Sequence, residues 1–137
     1  MSTFPLTAAI GACVLALAAC APLEPAMCPT GATAAVSDVL YFGTSTPEGP
    51  VTDAEWDTFL REVVTPRFPD GLTVWRGSGQ WRSPEGRVGR ESTYVLGIVH
   101  PESEAAESSL AAIMSRYKSQ FRQEAVLRVT TRACVSY

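Results

Sequence analysis

The run Tyr94-Val95-Leu96-Gly97-Ile98-Val99 limits what this chain can fold into more than any other stretch. Successive residues of a strand point to opposite faces, so Leu96 and Ile98 cannot share a face with Val95 and Val99. A strand apolar at nearly every position has to be covered on both sides. Around it the hydrophobic spacing switches between the two regular periods. Asp38 to Gly43 reads as a buried first strand stopped by glycine, and Thr44 to Val51, with Pro47, Gly49 and Pro50, as a loop. Thr52-Asp53-Ala54-Glu55 matches a capping box, with Val51 and Trp56 placed for a hydrophobic staple. Trp56, Phe59, Leu60, Val63 and Val64 then form one apolar helical stripe, which Pro66 stops.

The second strand opens at Leu72 to Trp75, is interrupted at Gly77-Ser78-Gly79 by a bulge or bend, and resumes at Gln80-Trp81-Arg82. Ser83-Pro84-Glu85-Gly86 fits a type I turn into a long third strand, Arg87 to His100. A second helix, about Ser103 to Arg122, carries the stripe Leu110, Ile113, Met114, Tyr117 and Phe121. Glu124 to Thr131 is a fourth strand, followed by a short tail. The order βαββαβ with right-handed crossovers predicts a ferredoxin-like α+β domain over residues 38–137. It has a four-stranded antiparallel sheet with two helices on one face. The other face is left open, yet the third strand needs cover there as well. The loop 44–51 and the tail, a second copy, or a ligand could each supply it.

The first residues read as an address. Ala8 to Ala19 is uncharged and apolar, long enough for a signal-peptide core and short of the ~20 residues of a spanning helix. It ends in Leu17-Ala18-Ala19-Cys20, which resembles the bacterial lipobox. Small residues admit the backbone to a peptidase cleft, and the Cys20 thiolate accepts the lipid. Met1 to Thr7 lacks the usual Lys or Arg. Residues 1–19 are thus expected to be a lipoprotein signal peptide, with Cys20 lipidated and residues 20–37 a flexible tether. Ala21 is not the Asp that favours inner-membrane retention, so the periplasmic side of the outer membrane is the expected location.

Once residues 1–19 are removed and Cys20 carries lipid, Cys28 and Cys134 remain as a pair, and a structural disulfide suits an oxidising envelope. With 11 Lys and Arg against 14 Asp and Glu, net charge −3, no basic footprint argues for nucleic acid. No metal or cofactor is expected, because no CxxC, clustered His, phosphate loop or GxSxG elbow occurs.

Two side chains stand out as acid–base candidates. His100 is the only histidine, and Glu91 is either a structural ion-pair partner of Arg90 or the single acid of a small site. Arg67, Arg76, Arg82, Arg87 and Arg90 cluster in sequence around Trp75 and Trp81. If the second and third strands pair, Arg67, Arg76, Trp81, Arg82 and Arg90 could grip a carboxylate, a phosphate or a sugar face. A solvated surface neutralised by Asp70, Glu85 and Glu91 is the plainer alternative.

The combination Leu40-Tyr41-Phe42-Gly43, Trp56, Thr65 to Thr73, Gly79-Gln80-Trp81, Arg90-Glu91, Tyr117 and Phe121 to Leu127 resembles bacterial domain of unknown function 3574. The resemblance spans about residues 38–137 and implies a small secreted or lipoprotein-like envelope protein, with no activity attached. Three functions follow as expectations. The first is a lipid-anchored binding or interaction module, working as a homodimer or with an envelope protein. The second is a small cofactor-free enzyme using His100, Tyr41 or an Arg in a pocket over the sheet. The third is a structural accessory subunit.

Overall fold

The structure, a computed structural model, describes residues 28–82 and 85–137. The expected signal peptide, the lipidation site Cys20 and Ser83-Pro84 of the expected turn lie outside the described residues. Strands β1 (Thr33–Gly43), β2 (Thr73–Arg82), β3 (Val88–His100) and β4 (Leu127–Val135) form one sheet in the order β2-β3-β1-β4. All pairings are antiparallel. Helices α1 (Asp53–Phe59) and α2 (Glu104–Phe121) make the order βαββαβ, the ferredoxin-like arrangement.

Helix α1 begins as its sequence dictates. The Thr52 hydroxyl accepts the Glu55 N–H, and the Glu55 carboxylate reaches back to the Thr52 N–H at 2.8 Å. After Phe59 the coil widens into a π-turn over Leu60–Val64, where the Thr65 N–H reaches Leu60 O, and it ends before Pro66. Helix α2 stops at Arg122 in the left-handed conformation, φ 50°, without a glycine.

One face of the sheet holds the core. Leu40 and Phe42 of β1 and Tyr94, Leu96 and Ile98 of β3 pack against Trp56, Phe59 and Val64, and against Leu110, Ile113, Tyr117 and Phe121 of α2. Phe42 sits at the centre of the aromatic contacts, 4.7 Å from Tyr117 and 5.1 Å from Trp56. The Tyr117 hydroxyl donates to Gly43 O at 2.9 Å, and burial pushes its proton affinity up.

Three boundaries differ from the sequence reading. β1 begins at Thr33, so the last five residues of the expected tether are strand, because Thr131 to Val135 of β4 pair with them. β4 starts later and runs further than expected, to Val135, placing Cys134 inside it. β2 has no bulge at Gly77-Ser78-Gly79: the register with β3 is unbroken from Thr73 opposite Gly97 to Arg82 opposite Val88. The glycine at 77 instead makes room, since a Cβ there would come 3.0 Å from Thr93 Cγ2. Cys28 and Cys134 form the disulfide, with Cα atoms 5.5 Å apart.

Among the described residues no strand or helix packs on the opposite face, although Val95 there is only 2% exposed. Trp75 is 45% exposed, Leu127 60% and Val129 44%, and Tyr41 and Val99 are exposed beside them. Neither the loop nor the tail folds over them: Val51 turns into the core on the helix side, and Tyr137 is fully exposed. Two indoles lie flat across β3 where glycines admit them. A Cβ at Gly97 would come 3.3 Å from the Trp75 ring, and one at Gly89 3.2 Å from Trp81 Nε1. Among the open-face positions of the four strands, Glu91 is the only charged residue. The helix-side positions of the same strands carry Asp38, Arg76, Arg82, Arg90, His100, Arg128 and Arg132.

Candidate functional site

β2 and β3 continue past the end of β1, whose last residue, Gly43, pairs with Thr93. This two-stranded arm carries Trp81 and Glu91 on its open face. At its root lies a groove of about 520 Å³, walled by Trp81 and Glu91, by the loop after β1 at Ser45 to Pro47, and by Arg122 to Ala125 ahead of β4. The walls are tied together. The Gln123 amide donates to Ser45 O at 2.6 Å, and Arg122 pairs with Glu48. Glu91 accepts the Ser45 N–H at 3.0 Å and lies against Gly43, where a Cβ would come 2.8 Å from its carboxylate oxygen. Trp81, Glu91 and Arg122 to Ala125 are far apart in sequence, and the fold brings them to this one place.

His100 occupies the other end of the sheet and belongs to a buried charge network. Asp38 is 0% exposed. Its Oδ1 accepts from Arg128 Nε at 2.7 Å and Thr130 Oγ1 at 2.6 Å, and its Oδ2 from Arg128 Nη2 at 2.8 Å. His100 Nε2 lies 2.8 Å from Asp38 Oδ2, and Nδ1 lies 2.8 Å from Pro101 O. Arg128 also forks onto Glu107 of α2, with both bonds at 2.7 Å. Burial alone would raise the Asp38 carboxyl. The hydrogen bonds from Arg128, Thr130 and His100 and the Arg128 charge outweigh burial and lower it to about 2. The Arg128 fork lowers Glu107, and the bonds to Glu107 and Asp38 raise Arg128.

This network supplies what sequence reasoning did not, an acid orienting His100. The signal was present: Asp38 stands at a core-facing position of the alternation Val36, Asp38, Leu40, Phe42. Yet the geometry suits architecture better than base catalysis. Both imidazole nitrogens face acceptors, so neither offers a lone pair to a substrate. A cavity of about 230 Å³ lies beside the ring, lined by Arg67, Phe68 and Ser103 among others.

The arginine–tryptophan constellation is not assembled. Arg67 lies at the His100 end, where its guanidinium donates to Val63 O at 2.6 Å. Arg76 is on the helix side, 4.8 Å over the Tyr94 ring, donating to the Tyr94 hydroxyl and paired with Asp53. Arg82 and Arg90 share that side of the arm, opposite Val88 and Gln80, while Trp81 is on the other side. Alternation separates them, because neighbours in a strand face opposite ways. Glu91 likewise faces away from Arg90. Tyr41 stands on the open face, between Val95 and Leu127 in the register. Among the described residues no group of three or more His, Cys, Asp and Glu could hold a metal ion. No helix there is long and apolar enough to cross a membrane.

Comparisons with solved structures show the fold. A phage SAM lyase in complex with S-methyl-5'-thioadenosine is similar at TM-score 0.55 and 13% identity, over 82% of this chain and 95% of the lyase chain. CutA from Synechococcus elongatus PCC7942, in complex with a Bis-Tris molecule, is similar at TM-score 0.51 and 14% identity, over 77% of this chain and 87% of its own. No curated protein matches the sequence. The family model described as Protein of unknown function (DUF3574) matches residues 37–137, from the middle of β1 to the last residue. The chain belongs to that family.

Proposed function

We propose that the protein is a bacterial envelope lipoprotein, anchored through lipid on Cys20, whose domain is an interaction module that pairs with a second copy through the open face of its sheet. One observation carries this reading: the uncovered face holds exposed Trp75, Tyr41, Val99, Leu127 and Val129 and a single charged residue, whereas the covered side holds the charges. Solvated sheet faces normally show the reverse. A face with one charged residue repels a copy of itself little, although the whole chain is net negative. Its size also suits a pair. Four strands about 4.8 Å apart and ~30 Å long span about 20 by 30 Å. Two such faces bury roughly 1,200 Å², the lower bound of stable interfaces.

The Cys28–Cys134 disulfide supports an oxidising compartment. Labelling cells with a fatty-acid analogue tests the anchor: the protein takes up label and Cys20→Ala does not, and an unlabelled parent overturns lipidation. The pairing is tested on the mature protein with Cys20 replaced. Tyr41→Glu with Val129→Glu should convert a dimer to a monomer in sedimentation, with the melting temperature changed by less than ~3 °C. A parent that is already a monomer at 100 µM or so contradicts it. The enzymatic reading has less support, because both imidazole nitrogens face acceptors and the nearby Ser103 hydroxyl caps α2.

A further inference from the structure

The groove at the root of the β2–β3 arm lies beyond the end of β1, at the margin of the open face, and its reading does not depend on pairing. Its chemistry follows from which side chains are already engaged. Arg122 is paired with Glu48, and one N–H of the Gln123 amide is held by Ser45 O. Two carboxylates, Glu91 and Glu124, and the indole of Trp81 remain to line it. The Ser45 N–H fills one of about four acceptor sites that a carboxylate offers. Trp81 has Gly89 under one side of its ring and is half exposed on the other.

Relative position matters as much as identity. Trp81 lies opposite Gly89 and Glu91 opposite Gly79, so the two side chains are diagonal neighbours on one face. Such pairs stand about 7–8 Å apart. At that spacing long and aromatic side chains can reach one another, and both line the one groove, so a compact charged group held there meets a carboxylate and an indole. Anions are repelled by Glu91 and Glu124. A polyol could use the Ser45 hydroxyl and the Trp81 N–H, but it brings no charge to the two carboxylates. We infer that this groove binds an organic cation, an ammonium or guanidinium group carried on an apolar body that lies against Trp81. The attraction is a carboxylate charge added to the quadrupole of the indole. Gly43 belongs to the site as well, because only a residue without a side chain lets Glu91 rest where it does.

The test titrates the mature, disulfide-closed protein with 2-phenylethylammonium, its neutral isostere 2-phenylethanol and the anion 3-phenylpropionate. The indole N–H resonances are followed by NMR, with that of Trp81 assigned by its loss in Trp81→Phe. The expected result is saturable displacement of the Trp81 signal by the ammonium, about ten-fold tighter than by the alcohol, with no binding of the anion. Glu91→Gln keeps an oxygen for the Ser45 N–H. It should remove most of that ten-fold preference without weakening the alcohol. Gly43→Ala, which displaces Glu91 while leaving its charge, should weaken the ammonium as well. Equal binding of ammonium and alcohol, an ammonium affinity insensitive to Glu91→Gln, or no displacement of Trp81 by the ammonium at millimolar concentration overturns the inference.

Discussion

Asp38 is a charge in a place where the alternation of β1 calls for an apolar side chain, and its neighbours explain how it survives there. Arg128, Thr130 and His100 give its two oxygens four contacts, and Arg128 carries the link on to Glu107 of α2. Removing one member of such a buried set leaves the others unpaired, so Asp38→Asn or Arg128→Met should cost about 3–5 kcal/mol in urea unfolding. The carboxyl, held at about 2 against an ordinary 3.8, also fixes a pH dependence. A lowered pKa contributes stability that is complete above the ordinary value and lost as pH falls through the folded one. The parent should therefore lose about 2 kcal/mol between pH 4 and pH 2, and Asp38→Asn should lose less over that window. Equal acid sensitivity in the two proteins would show that Asp38 is not the group responsible. Gly43 gives the opposite kind of prediction. A methyl there meets only the end of the Glu91 side chain, which can swing aside, so Gly43→Ala should change stability by less than ~1 kcal/mol.

At the scale of elements, what the sequence disclosed and what it withheld have different physical origins. Local chemistry was readable: the Thr52–Glu55 capping box, the stripe through Trp56 and Phe59, and the two-faced β3 all rest on neighbours within a few residues. Thr52→Ala should accordingly cost about 1 kcal/mol of stability, measured by thermal unfolding. The start of β1 at Thr33 and the end of β4 at Val135 were not readable. Their small and polar residues become strand only by pairing with each other across the chain. Gly77 and Gly79 suggested a bulge, whereas tertiary contacts with Thr93 and Glu91 kept the strand regular. The site followed the same division. Trp81 and Glu91 were both singled out, but for different roles, and the partners they share a groove with, Ser45 and Gln123, come from loops that only the fold brings near. Arginines close in sequence proved to be on the wrong face to join Trp81. Gly89→Ala would raise the Trp81 ring off β3, and a shift of the Trp81 indole resonance without loss of the other two is the expected NMR signature.

For the whole molecule, two features reach from one end of the chain to the other. The Cys28–Cys134 bridge closes 106 residues at the edge of the sheet. Reducing it should lower stability by about 4 kcal/mol, less if the unfolded chain keeps structure. The second is the charge distribution, with ionised groups gathered on the helix-covered side of the sheet and nearly absent from the uncovered one. A monomer in water gains nothing from that arrangement. A pair meeting face to face would bury Trp75, Leu127 and Val129 and leave the charged sides outward. The most direct check is the native mass of the mature protein, Cys20 replaced and the disulfide intact, recorded over a concentration series. The expected outcome is a dimer that persists at low micromolar concentration and disappears when Tyr41 and Val129 are both changed to Glu. A parent protein that stays monomeric across the series would contradict the pairing.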